Sequence, residues 1–384
     1  MEPKRASESA LQLVHPSSTL SPILELPFDL LFTIFSLLPL PEIILCRSVC
    51  RLFLQALTSL SFLRLRPRVP LLIVPYPPIH YLYHSSSSSS VVLPLFFDPF
   101  LNQWVRLPLD FITPFQSTKI TLVPVASSSG LLYLWSYPDN TLIVCNPITR
   151  RFRVLLTLGC SWSLHKATVI VGSASDGEVI VFHGLSALYY SRTAGRIFTY
   201  VPYKCRSPIL VSKTLFALCD ISQSNRGESR WRIFLCNLPH QFRIRAWERV
   251  DKKYEWESLL DSLEQPYLIH GRANEILMVG ALKSNTAAAS SPFPLCSTFL
   301  IIRLDLERLE WKEAGRMPLE MFKCFKDSFM FKAFGGWGWV CFRGNLAPRL
   351  AMWSSSSSDW RWVNDGLNTR HCKFVFDAML TYVP

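Results

Sequence analysis

Few side chains in this sequence are spaced for bond-making chemistry. His80 and His84 stand four apart, the interval at which a helix turns two imidazoles toward one metal ion. Pro77, Pro78 and the run Ser85 to Ser90 flank them, so a helix-borne metal pair is not expected there. Cys46 and Cys50 share that interval, but they lie among apolar residues, where small packed side chains are expected. There is no P-loop and no GxSxG turn, and no metal or cofactor site is predicted. Charge is the stronger signal. The net charge is +12, and the stretch Arg192 to Lys253 holds thirteen Lys/Arg against four Asp/Glu. Such a field favours an acidic partner or nucleic acid, although a solvated face is the commoner origin of a local surplus. Arg226 and Arg230 bracket a loop signal at Gly227, while Arg243 and Arg245 alternate with Phe242 and Ile244 as exposed positions of a half-buried strand would. These four arginines are the candidate partner-binding residues.

The elements that must position them follow from composition. The 384 residues are 49% hydrophobic and only 18% charged, with 27 Pro and 12 Trp, a balance that suits many short strands. Length and hydrophobic content allow two domains. No secretory signal is apparent in the first twenty residues, and prolines break the longest apolar stretches, so no membrane span is expected. Eleven cysteines with no CxxC pair, and no N-x-Ser/Thr sequon, point to a reducing compartment, cytoplasm or nucleus.

Residues 1 to 22 are polar and aperiodic, which predicts a flexible tail, and order is expected from Leu24. From Pro27, Leu30, Leu31, Ile34, Leu37 and Leu38 repeat at helical spacing beside a second stripe of Phe28, Phe32 and Phe35. Pro39 ends this helix. Pro41 suits the first turn of a second, through Glu42 to Cys46, and Ser48 is placed to cap a third, through Val49, Cys50, Phe53, Leu54 and Leu57. Three short helices in about 40 residues make a marginal core, and their surplus apolar surface implies a partner.

Leu26-Pro27, Leu30, Ile34, Leu37-Leu38-Pro39 and Arg47-Ser48-Val49-Cys50-Arg51 resemble the F-box over residues 24 to 65. Phe53 stands where that family commonly has Trp. The resemblance implies a Skp-type adaptor as partner and, through it, a cullin. By the same resemblance Leu26, Pro27, Leu30, Ile34, Leu37, Val49, Cys50 and Phe53 would form the adaptor surface or the fold that presents it.

From Val69 onward a strand, a polar turn and an aromatic recur. The aromatics are Trp104, Phe152, Phe198, Trp247, Trp311 and Trp360, with one long interval, before Trp311, that contains a Ser/Ala-rich stretch near Ser284 to Ser291. A repeat of about 50 residues is the kelch period. Asp or Asn would turn the chain between two strands, and the following aromatic would pack between blades. Phe334-Gly335-Gly336-Trp337-Gly338-Trp339, Trp311 to Pro318 and Asn146-Pro147-Ile148-Thr149-Arg150-Arg151-Phe152 resemble segments of plant F-box proteins with kelch-like C-terminal halves. The expected fold is therefore α+β multidomain: a small all-α F-box module, then an all-β kelch-type propeller of about six blades over residues 70 to 384, its first and last strands meeting.

The resemblance implies a non-catalytic substrate-recognition subunit of a Skp-cullin-F-box ubiquitin ligase whose propeller binds a protein target. An acidic target would suit the basic stretch. Two other classes compete: a transcriptional or nucleic-acid-associated cofactor using the basic blades, and a kelch-type oxidase. The oxidase requires a Tyr, Cys and His cluster on a secreted chain, which this sequence does not display.

Overall fold

The structure is a computed structural model. It describes residues 22–65, 69–76, 93–105, 107, 109–112, 121–128, 130–137, 139–158, 162, 167–172, 177–222, 230–238, 247–272, 274–284, 296–325, 331–344, 349–363 and 374–378. The chain divides into two compact units, Met1–Pro67 and Arg68–Pro384.

The first unit is helical. After a 3-10 turn at Pro22–Glu25, α1 runs Phe28–Leu37, α2 Leu40–Cys46, α3 Arg51–Thr58 and α4 Leu60–Leu65. Pro27 opens α1, its carbonyl accepting from Leu31 N at 3.1 Å, and Asp29 places a carboxylate against the positive end of the helix. Leu38 leaves the helix at ψ 143°, because the residue before a proline is driven out of the α region. Two expectations are corrected here. Ser48 does not cap α3; it sits in the turn closing α2, where its hydroxyl donates to Leu45 O, and Cys50 takes the cap with Sγ accepting from Phe53 N at 3.4 Å. A fourth helix also follows, its Phe62 N held by Ser59 Oγ, so the fold has one more helix than the periodicity suggests.

The second unit is a ring of six four-stranded antiparallel sheets. Blade 1 contains β1 (Val69–Tyr76), β2 (Leu93–Asp98) and β3 (Gln103–Val105); blade 2 contains β4 (Thr121–Ser128), β5 (Leu131–Tyr137), β6 (Thr141–Asn146) and β7 (Arg151–Thr157). Blade 3 contains β8 (Ala167–Val171), β9 (Val179–His183), β10 (Ser186–Ser191) and β11 (Gly195–Tyr200); blade 4 contains β12 (Cys205–Val211), β13 (Thr214–Asp220), β14 (Trp231–Asn237) and β15 (Glu248–Arg249). After a short helix α5 (Glu257–Asp261), blade 5 contains β16 (Leu263–His270), β17 (Glu275–Lys283), β18 (Cys296–Asp305) and β19 (Glu310–Arg316). Helix α6 (Leu319–Lys323) leads to blade 6: β20 (Phe331–Gly336), β21 (Trp339–Gly344), β22 (Leu350–Ser354) and β23 (Trp360–Val363).

The ring closes on its own last strand. β24 (Phe374–Ala378) takes the inner position of blade 1 and pairs antiparallel with β1, Leu71 opposite Phe376, so the first and last strands meet as expected. Closure gives each inner strand a neighbour in the next blade, which covers the inner edge of every sheet. The neighbouring segment Met379 to Val383, read as a further strand, lies outside the described residues.

Each recurring motif of the sequence is the third strand, turn and fourth strand of one blade. Asp98, Asn146 and Asp305 end β2, β6 and β18, and each side-chain Oδ1 accepts from two backbone N–H groups two and three residues on. Blades 3 and 6 use serine and one such bond each: Ser191 Oγ accepts from Ala194 N and Ser354 Oγ from Ser356 N. Trp104, Trp247, Trp311 and Trp360 pack onto the apolar layers between blades. Phe198 departs from the expectation: it is 66% exposed, because residues of β11, the outermost strand of its blade, alternate toward solvent. The long interval before Trp311 holds α5, and most of the Ser/Ala-rich stretch falls outside the described residues. Gly335 is required by close approach, since a Cβ there would stand 2.0 Å from Trp339 O. Trp337 (φ 54°) and Gly338 (φ 89°) then form the tight turn into β21.

Candidate functional site

The helical unit divides its apolar residues between a core and a surface. Leu31, Phe32, Phe35, Leu40, Ile43, Phe53, Ala56, Leu57 and Phe62 are buried, and the Phe35 ring meets Phe53 edge-on at 5.0 Å. On the outside of α1 lie Leu30, Ile34 and Leu37, the last 80% exposed. Leu45, in α2, and Val49, in the turn after it, are exposed as well. The positions three and four apart in α1 explain the line of Leu30, Ile34 and Leu37, while Leu31, taken by periodicity as part of that stripe, turns fully inward.

Of the sequence-predicted adaptor residues, then, Pro27, Leu30, Ile34, Leu37 and Val49 are on the surface and Leu26 and Cys50 are half-buried. Phe53 is placed differently: it is a core residue at 7% exposure and holds α3 against α1. Covering one exposed leucine of this kind contributes about 1.5–3 kcal/mol.

The arginines chosen from the sequence do not come together among the described residues. Arg226, Arg243 and Arg245 lie outside them, and with them the strand expected around Phe242 and Ile244. Arg230 is exposed, and its backbone N donates to Asp220 Oδ1 at 3.1 Å, which closes the base of its loop. Part of the sequence's local surplus is consumed internally. Arg232, at 1% exposure, pairs with buried Asp251 and with Asp261, and Arg249 also pairs with Asp251. One cationic group that local sequence does not reveal is Lys332, directly opposite Arg343 in the pairing of β20 with β21.

The propeller encloses a central cavity of about 680 Å³ between its inner strands, lined toward one end by Ser128, Gly172, Ser212, His270 and Trp337. Among the described residues no group of three or more His, Cys, Asp or Glu could hold a metal ion, and no helix is long and apolar enough to cross a membrane.

Comparison with known proteins decides the family. The F-box domain matches residues 23–65. Over 391 residues the chain is 42% identical to SKP1-interacting partner 15 of Arabidopsis thaliana, covering 95% of this chain and 99% of that protein. The chain belongs to the F-box protein family. A second F-box relative, F-box only protein 6 of Arabidopsis thaliana, is 24% identical over 322 residues, 77% of this chain and 58% of that protein. Hydrazine synthase of Kuenenia stuttgartiensis is similar at 10% identity over 68% of this chain and 70% of its own, with a TM-score of 0.41, a likeness too loose to bear on function. The exposed leucines of α1 are thus the outer face of an F-box, and the six-bladed unit is what this F-box protein carries behind it.

Proposed function

We propose that this protein docks through its F-box onto a Skp-type adaptor, and through that onto a cullin, while the propeller holds a target protein for ubiquitin transfer. It is then the recognition subunit of a Skp-cullin-F-box ligase and makes no bond itself. The observation that carries this reading is the exposed line Leu30, Ile34 and Leu37 on a module whose core is already filled by other residues. Support also comes from a relative, alike over nearly its whole length, whose name describes an interaction with SKP1. The contribution to catalysis is positional, raising the effective concentration of target lysines at a charged conjugating enzyme. Cytoplasm or nucleus suits this reading, in keeping with eleven cysteines that include no CxxC pair.

Ile34→Asp and Leu37→Asp in the full-length chain test it. Each would place an unpaired carboxylate in the apolar contact, at a cost of several kcal/mol, and co-purification with a Skp-type adaptor should be lost. Full retention of the adaptor by both variants would refute the docking surface.

A further inference from the structure

Three cations converge where the inner strands of blades 4 and 6 begin. Arg206 is the second residue of β12 and Lys332 the second of β20, with β16 of blade 5 between them. Tyr267 on β16 ties the two ends together: Arg206 Nη2 donates to its hydroxyl at 2.6 Å, and that hydroxyl donates to Phe331 O, the neighbour of Lys332, at 2.9 Å. The Arg206 guanidinium lies over the Tyr267 ring at 4.2 Å and the Trp231 ring at 5.0 Å, an arrangement that fixes its plane. Arg343 stands across from Lys332 in the sheet.

The pairing of Lys332 with Arg343 works against the fold. Like charges directly opposite on paired strands destabilise a sheet. Lys332 reaches solvent, and partial desolvation followed by the Arg343 and Arg206 guanidinium groups holds its ammonium below the ordinary lysine value. Among the described residues neither Lys332 nor Arg206 has a carboxylate partner, and Glu264, the acid on the intervening strand, pairs with Lys283 instead. The inner strands are also bent at this level. Bulges interrupt β12 just after Arg206, at Ser207 (φ 44°), and β16 just before Tyr267, at Gln265 (φ 48°). Such bulges re-aim side chains, and the result here is a fixed arginine fork beside a repelled lysine.

We propose that Arg206, Lys332 and Arg343 form an oxyanion-binding site that takes an acidic segment of the target protein, with carboxylate or phosphate groups as its anions. This deepens the reading of the propeller as the target-binding unit and rests on it. An oxyanion here would accept from the planar guanidinium and relieve the repulsion at Lys332, so binding gains more than it would at an isolated surface cation. The pair Lys332 and Arg343 is separated from Arg206 by well over a hundred residues of sequence, which is why a count of local charge could not reveal the group.

The test uses the full-length protein bound to its Skp-type adaptor, titrated by fluorescence anisotropy. The labelled probes are a Glu-rich peptide, a phosphoserine peptide of the same length and a single-stranded oligonucleotide, with inorganic phosphate as competitor. Saturable binding of either peptide is expected. It should weaken at least about tenfold in the Lys332→Gln/Arg343→Gln variant and fall with added salt. Lys332→Gln alone should weaken binding in the same direction and melt no lower than the parent, because it removes like-charge repulsion, and both variants should keep the adaptor. A preference for the phosphoserine peptide would assign the oxyanion to phosphorylation, and equal binding would assign it to acidic sequence. The proposal is overturned if neither peptide binds the parent, if both bind the variant undiminished, or if the oligonucleotide alone shows binding that the variant loses. Adaptor retention is read separately, so failure of the docking surface and failure of this site give different results.

Discussion

The F-box module and the propeller answer the same demand, that apolar surface be covered, in opposite ways. The propeller covers its own: β24 returns from the C-terminal end to complete blade 1, and successive apolar layers fill the spaces between blades. The module stops short. Among its described residues nine apolar side chains are buried, a small core, while Leu30, Ile34, Leu37, Leu45 and Val49 stay in solvent. The propeller leaves single side chains such as Phe198 and Tyr200 of β11 in solvent, whereas the module leaves the outer face of a whole helix uncovered. The difference is one of proportion, between a body that covers most of its apolar surface and a handle that leaves a helix face bare.

The largest effect should come from undoing the propeller's closure. Removing residues from Lys373 onward deletes β24 and leaves β1 with an unpaired edge facing the ring interior. Aggregation, or loss of a cooperative thermal transition, is the expected result by light scattering and calorimetry. A truncated protein that melts cooperatively at the parent temperature would show that the body does not depend on self-completion.

Next in size is a cut into the module's own core. Phe35→Ala removes a ring at 2% exposure that meets both Phe53 and Phe62, a loss of about 3–5 kcal/mol. That is about what so small a core supplies, so the helical contribution to circular dichroism should fall while the propeller transition remains. Leu37→Asp, two residues away and exposed, should change stability by no more than about 0.5 kcal/mol while losing the adaptor. Comparable destabilisation by the two substitutions would mean that inside and outside of α1 have been assigned wrongly.

The helix that carries those two residues also marks how far sequence alone can reach. The proline before α1, the two prolines near its end and the aliphatic spacing determine where the helix lies, because each acts on the local backbone. Periodicity alone cannot decide which way Leu31 turns, since a helix with apolar residues on both sides has no polar face to orient it. In the propeller, the turn residues Asp98, Asn146 and Asp305 are legible because one side chain builds each turn from the two N–H groups that follow. Phe198 defeats the pattern because an aromatic in the same place on an outermost strand can face either side. The cationic group at Arg206, Lys332 and Arg343 depends on sheet register and on two bulges, which no local pattern encodes.

The smallest expected effect separates blade 2 from blade 5, which build the same turn with different chemistry. Asn146 holds Ile148 N and Thr149 N at 2.9 and 3.0 Å through a neutral amide, and Asp305 holds Glu307 N and Arg308 N at 2.9 and 3.3 Å through a carboxylate. Those two N–H groups, chiefly, keep the Asp305 carboxyl below the ordinary aspartate value. Because the folded value is the lower one, the charged turn adds stability above the unfolded pKa and loses it as pH falls through the folded one. Asp305→Asn retains an acceptor oxygen in the geometry that Asn146 already shows, but it does not titrate. At neutral pH the variant should therefore melt slightly below the parent, and the gap should close as the pH is lowered into the acid range. Melting temperatures measured for both proteins across that range provide the check. A gap that stays constant with pH would show that the carboxylate's charge contributes nothing to its turn, leaving the two blades alike in energy as well as in shape.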